Sequence, residues 1–115
     1  QAGEAAVVIT LASEFSGTHQ SAVIAAADYE NVYVVDSRSA AMGTGILVEL
    51  AFRLLDEGMS AEEIKQALEK EKKKIIIVAL VDTLEYLKRG GRISKTAAFA
   101  GGVLNIKPVL SVIDG

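Results

Sequence analysis

Apolar residues fall in two patterns along this chain. Short, nearly unbroken runs occur at Ala5–Leu11, Val32–Val35 and Ile75–Val81. They are rich in β-branched residues, as strands buried on both faces of a parallel sheet are. Ile75–Val81 is the clearest of them. Between the runs, apolar residues recur every three or four positions, the spacing of a helix with one buried stripe. Ala22, Val23, Ala26 and Ala27 predict a helix over 17–28. Met42, Ile46, Leu50 and Leu54, with Leu47, Ala51 and Leu55 beside them, predict a long helix over 39–57 that ends at Gly58. Ser60 and Glu63 have the spacing of a capping box, so a further helix starts there with Ile64, Ala67 and Leu68 as its stripe. The charged run Glu69–Lys74 predicts a solvated helix end.

Asp82 and Glu85 repeat that start signal for a short helix through Leu87, broken by Arg89-Gly90-Gly91-Arg92. Ser94 predicts the cap of a small-residue helix over 95–104. Residues 106–113 alternate as a last strand, with Pro108 at its edge or start, because proline cannot donate to a ladder. The order strand, helix, strand is a βαβ unit. The fold class is α/β, a mainly parallel sheet flanked by helices. A strand begins almost at residue 5, and a turn dipeptide, Asp114-Gly115, stands last. Both ends therefore read as cuts into a larger fold, and self-association of the isolated chain is expected.

Composition narrows the classes. Half of the 115 residues are hydrophobic but only 5% are aromatic, so small aliphatic side chains carry the core. A net charge of −3 argues against nucleic acid, whose phosphates call for a basic surface. There is no cysteine, which excludes disulfides and thiolate metal sites and fits the cytoplasm. No apolar run approaches the ~20 residues that span a bilayer, so stable membrane insertion is not expected.

Candidate chemistry gathers after the first strand. Ser13, Ser16 and Thr18 surround Gly17 where a helix should start. In open α/β sheets ligands lie beyond the carboxyl ends of the strands, and helix N-termini favour anions. Hydroxyls can donate to a carboxylate or phosphate without adding charge, and a glycine admits a ligand to the backbone. Plain helix capping explains the same residues. Asp36-Ser37-Arg38-Ser39 ends the second strand and should open on the same edge, as a polar wall of one crevice or as a cap with Asp36 and Arg38 paired. Gly43 and Gly45, inside a helix pattern at a cost of about 1 kcal/mol each, imply that a backbone or an apolar ligand packs closely there. Arg89 and Arg92 suit a phosphate, a partner or a plain glycine turn. His19, the single histidine, has no companions for a metal site and is a weak base for Ser16 as nucleophile.

Four stretches carry a more specific signal: Ser13-Glu14-Phe15-Ser16-Gly17-Thr18-His19-Gln20-Ser21-Ala22, Val34-Val35-Asp36-Ser37-Arg38-Ser39-Ala40-Ala41-Met42-Gly43, Val81-Asp82-Thr83-Leu84-Glu85-Tyr86-Leu87-Lys88-Arg89-Gly90-Gly91-Arg92-Ile93-Ser94, and Leu104-Asn105-Ile106-Lys107-Pro108. In this order they resemble the DegV family of bacterial fatty-acid-binding proteins over nearly the whole chain. The resemblance implies two α/β domains in a chain twice this length or more. Residues 1–81 would belong to the N-terminal Rossmann-like domain and 82–115 to the crossover into the second. It implies a non-catalytic carrier with no cofactor, which holds a long-chain fatty acid and presents its carboxylate to a separate fatty-acid kinase subunit. Ser13 matches the position of a carboxylate-binding hydroxyl, with Ser16, Gly17 and Thr18 in the same loop. Phe15, Ser37, Met42 and Gly43 become candidates for the pocket or its second wall, and Arg89 and Arg92 for partner contact. Further carboxylate ligands, an upstream Thr/Ser-rich segment and a downstream histidine, lie outside this sequence. It departs from the family pattern at Ala12, often serine, at Phe15, usually a small aliphatic, and at His19, usually tyrosine. The alternative is a small enzyme or binding module for a phosphorylated metabolite, with the Ser13–Thr18 loop on phosphate.

Overall fold

The computed structural model describes residues 3–93 and 107–112. Residues up to Ile77 gather into one compact unit and Val78–Val112 into another.

The first unit is built on two parallel strands, β1 (Ala6–Thr10) and β2 (Val32–Asp36), in a register that runs from Ala6 opposite Val32 to Thr10 opposite Asp36. Helix α1 (Thr18–Ala26) makes the crossover between them. Two helices follow β2: α2 (Met42–Asp56) and α3 (Ala61–Glu71), the latter continued by a tight 3-10 turn at Lys72–Lys74. Val35, Leu47, Ile64 and Leu68 form the buried centre, where β2, α2 and α3 meet. Each such side chain contributes about 1.5–3 kcal/mol by leaving water.

Both helix-boundary signals hold. Gly58 follows α2 with φ of 84°, its N–H donating to Leu55 O at 2.9 Å while Met59 N–H donates to Leu54 O at 3.1 Å. These two bonds use carbonyls that the helix end leaves without partners, and the left-handed φ favours glycine. Ser60 Oγ accepts the Glu63 N–H at 3.3 Å, and Glu63 Oε2 accepts the Ser60 N–H at 2.8 Å, completing the capping box.

Three expectations about burial need correction. β1 was expected to be covered on both faces, yet Val7, Val8 and Ile9 are only half-buried. Among the described residues β1 pairs with β2 alone, and the Val7/Ile9 face borders an open apolar groove against α2 and α3. No residue of α1 is buried, and Ile24 is largely exposed. The charged run after α3 is not wholly solvated. Lys72 is only 7% exposed, because it continues the Ile64, Leu68 stripe one turn further.

In the second unit, β3 (Ile77–Leu80, beginning at the boundary) pairs with β4 (Val109–Val112), and the N–H of Val81 donates to the carbonyl of Pro108 at 3.0 Å. Pro108 thus stands at the start of its strand. The run 75–81 is not the fully buried strand its composition indicates: Val78 and Leu80 are exposed while Ile77 and Ala79 are half-buried, because the described residues leave one face of this strand pair uncovered. Helix α4 (Glu85–Arg89) is present, but Asp82 does not cap it. Thr83 Oγ1 accepts the Glu85 N–H, and Asp82 pairs with Lys107 at 2.9 Å. The expected helix over 95–104 lies outside the described residues.

Candidate functional site

The carboxyl ends of β1 and β2 lie side by side, and backbone hydrogen bonds lace the loops that leave them. Ser37 N–H donates to Thr10 O at 3.1 Å, and Ala12 N–H to Ser39 O at 2.8 Å. The chain then turns tightly over the buried Ala12, whose carbonyl accepts the N–H groups of Phe15 and Ser16 at 3.0 and 3.3 Å. The loops at Ser13 and Ser37 therefore open on one edge of the sheet, as the right-handed βαβ crossover requires.

Asp36, the last residue of β2, is the electrostatic centre of this edge. Its Oδ1 accepts the N–H of Ser13 at 3.2 Å and the N–H of Arg38 at 2.9 Å. Partial burial by itself would raise its carboxyl. Hydrogen bonds from the Ser13 hydroxyl and from the Arg38 and Ser13 N–H groups, with His19 nearby, outweigh that and hold it below its ordinary value. The contact with Arg38 runs through the backbone N–H, with Arg38 at φ of 50°, rather than through the guanidinium ion pair expected as one option.

The loop displays hydroxyls. Ser13, Gly17 and Thr18 are exposed, and Phe15 and Ser16 are half-buried. Ser16 Oγ and Thr18 Oγ1 share a hydrogen bond of 2.8 Å, and Ser16 Oγ also accepts the Thr18 N–H at 3.2 Å. The N-cap of α1 is Gly17, which has no side chain to cap with. Ser13 is therefore not the cap of this helix, and Ser16 satisfies only the first of its N–H groups. His19 Nδ1 bonds Thr10 Oγ1 at 3.0 Å, so the imidazole is turned to the strand end and not to Ser16 as a base.

The second wall is more closed. Ser37 is 1% exposed; its Oγ donates to Ser39 O and shares a hydrogen bond with Thr44 Oγ1, each at 3.1 Å. Gly43 is buried, and the close approach there is made by side chains: a Cβ would come 2.0 Å from Ser39 Oγ and 2.9 Å from Ile77. Gly45 faces open space, and Met42 is 78% exposed. In the second unit Arg89 pairs with Glu85 at 2.6 Å, and Arg92 donates to the Gly90 carbonyl.

Two contributors escaped the sequence reading. Thr10 is buried under the loop and bonds both His19 and the Val35 carbonyl. Lys72 reaches from the end of α3 to place Nζ 2.9 Å from Asp36 O, while pairing with Glu69 at 2.7 Å. The only sequence signal for Lys72 was its place four residues beyond Leu68. Among the described residues no group of His, Asp and Glu could hold a metal ion, and no helix is long and apolar enough to cross a membrane.

Parallel strands, a helical crossover and hydroxyl-bearing loops gathered at the carboxyl edge define an α/β protein of the βαβ type. The particular family follows from comparison: a profile described as "Uncharacterised protein, DegV family" matches residues 1–115, and the chain belongs to the DegV family. A DegV domain-containing protein of Caldanaerobacter subterraneus is 45% identical over 111 residues, which are 95% of this chain and 40% of that one. A Thermus thermophilus DegV family structure, described by its fatty acid binding, superposes with a TM-score of 0.83 at 41% identity over 96% of this chain and 40% of that one. The Streptococcus pneumoniae fatty acid kinase B3 protein, loaded with linoleic acid, gives 0.79 at 30% identity over 92% and 40%. This chain thus spans about 40% of the length of the relatives it matches.

Proposed function

We propose that this protein, at the length its relatives have, is a non-catalytic cytoplasmic carrier that holds a long-chain fatty acid and offers its carboxylate to a fatty-acid kinase subunit. Residues 1–81 would form part of the first domain, and 82–115 the crossover into the second. The carrying observation is the exposed Ser13–Thr18 loop, set at the N-terminus of a helix whose N-cap is Gly17, with only its first N–H met by a side chain. The first-turn N–H groups of α1 have no acceptor within the helix, and the helix dipole adds partial positive charge. Ser13 and Thr18 add exposed hydroxyls in the same loop. Membership of the family supports a fatty acid as the occupant, because related structures carry one. The kinase partner rests on the pneumococcal relative alone. We assign Phe15, half-buried within the same loop, to the start of the acyl chain.

A phosphorylated metabolite is less well supported, since Arg89 and Arg92 are engaged by Glu85 and the Gly90 carbonyl in their own unit.

Ser13→Ala in the full-length protein tests the reading. Losing a hydrogen bond to a charged group removes about 1.5–3 kcal/mol, roughly a tenfold to hundredfold loss of fatty-acid affinity. Because Ser13 does not cap α1, thermal stability should change little. Unchanged affinity by calorimetry, or no fatty acid in solvent extracts of the purified protein, would overturn the carboxylate role.

A further inference from the structure

Asp36 carries no ligand role in the reading above, yet the geometry joins it to every part of the edge. Its Oδ1 takes the N–H groups of Ser13 and Arg38, one from each loop. Its carbonyl takes Lys72 Nζ, whose side chain is buried and paired with Glu69. Thr10, opposite it in the strand register, carries the contact to His19 in the first turn of α1. A single residue thus ties the end of β2 to the Ser13 loop on one side and to α3 on the other.

We propose that Asp36 is the positioning residue of the hydroxyl loop, and that Lys72 holds Asp36 in place for that task. An exposed loop bearing three hydroxyls would otherwise sample many arrangements. A preorganised receptor avoids the ordering cost at the moment of binding, so the anchor is read out as affinity. The carboxylate suits this work because it accepts two N–H bonds on one oxygen, and charge-assisted bonds of this kind are stronger than neutral ones. The same negative charge would repel a ligand carboxylate placed against it. The Ser13 N–H, turned to Asp36, stands between the two.

The role assigned to Asp36 rests on the fatty-acid reading only for its ligand; the pinning of the loop can be measured without one. In the full-length protein, Asp36→Ala should speed amide hydrogen exchange across residues 12–18. It should also lower affinity for a long-chain fatty acid by about tenfold or more. Affinity for the matching fatty alcohol, which lacks the carboxylate, should stay near wild type. Asp36→Asn, which keeps an acceptor oxygen in the same place, should recover most of both losses and covers the case in which the alanine variant folds poorly. Unchanged exchange in the 12–18 segment would overturn the proposal. So would faster exchange with undiminished fatty-acid affinity, or equal losses for acid and alcohol, since either leaves Asp36 as a stabilising residue only. Failure of the wild-type protein to bind fatty acid would sink the ligand assignment instead, and exchange would still decide the pinning.

Discussion

At the scale of single residues, Gly43 shows how a local cost records a close approach. The sequence placed a glycine inside a helix where alanine is favoured, and the structure puts Ser39 Oγ 2.0 Å from the site of its missing Cβ. Ser39 is 2% exposed, and its hydroxyl has no hydrogen-bond partner among the described residues. Gly43→Ala should therefore destabilise by about 1–3 kcal/mol through overpacking, against its gain in helix propensity. Ser39→Ala removes an unsatisfied hydroxyl and should be neutral or stabilising. The double variant should recover part of the Gly43→Ala loss, leaving the 2.9 Å approach of Ile77. Additive losses in a denaturant-unfolding cycle would refute the contact. Asp36 yields a second prediction. Its carboxyl lies below the ordinary value of 3.8, so the folded state favours the ionised form. The charge-assisted part of the anchor is complete above the unfolded value and is lost as pH falls through the folded one. The Ser13 amide resonance should then titrate with a midpoint below 3.8, and the transition should vanish in Asp36→Asn. Neither Asp36 nor Lys72 was legible in these roles, because each works through a partner at least 23 positions away in the chain, at Ser13 and at Asp36 itself. The pairing of Ser16 with Thr18 was legible because these neighbours in space are also neighbours in sequence.

Elements were readable to the extent that local chemistry decides them. Gly58 and the Ser60/Glu63 box set the end of α2 and the start of α3 through bonds that span only a few residues. Ser60→Ala should cost about 1 kcal/mol, seen as a lowered melting temperature, while the helix core Ile64 and Leu68 keeps α3 in place. No change would mean that the box contributes nothing beyond what water supplies. Burial was less readable. The β-branched run of β1 and the spacing of α1 state which faces need cover, but not which part of a polypeptide supplies it. Hence Val7 and Ile9 are half-buried and Val23 is exposed, though all three fit their patterns. Asp82 failed as a cap for a different reason: Lys107, far along the chain, offers it an ion pair, and Thr83 takes the N–H instead.

For the molecule as a whole, the open face of the first unit poses a physical problem. Val7 and Ile9 of β1, with Val48, Phe52 and Leu55 of α2 and Ile64 of α3, line an apolar groove of about 500 Å³. Phe52 is 64% exposed and Leu55 57%, and the outer edge of β1 has no partner strand among the described residues. Exposed apolar faces and bare strand edges drive association. The relatives are about two and a half times as long as this chain, which spans 40% of each. The cover we expect is therefore the rest of such a polypeptide. The isolated 115-residue chain should bind a hydrophobic dye such as ANS and elute as concentration-dependent oligomers. The full-length protein, saturated with fatty acid, should do neither. Phe52→Ser discriminates further. In the isolated chain it should reduce dye binding and oligomers at little cost in stability, as surface changes usually do. In the full-length protein, where Phe52 would be packed, it should destabilise by about 3–5 kcal/mol, in the range of large aromatic truncations. A monomeric, dye-silent isolated chain, or a full-length protein indifferent to Phe52→Ser, would show that the groove is a finished surface and not a seat for the missing cover.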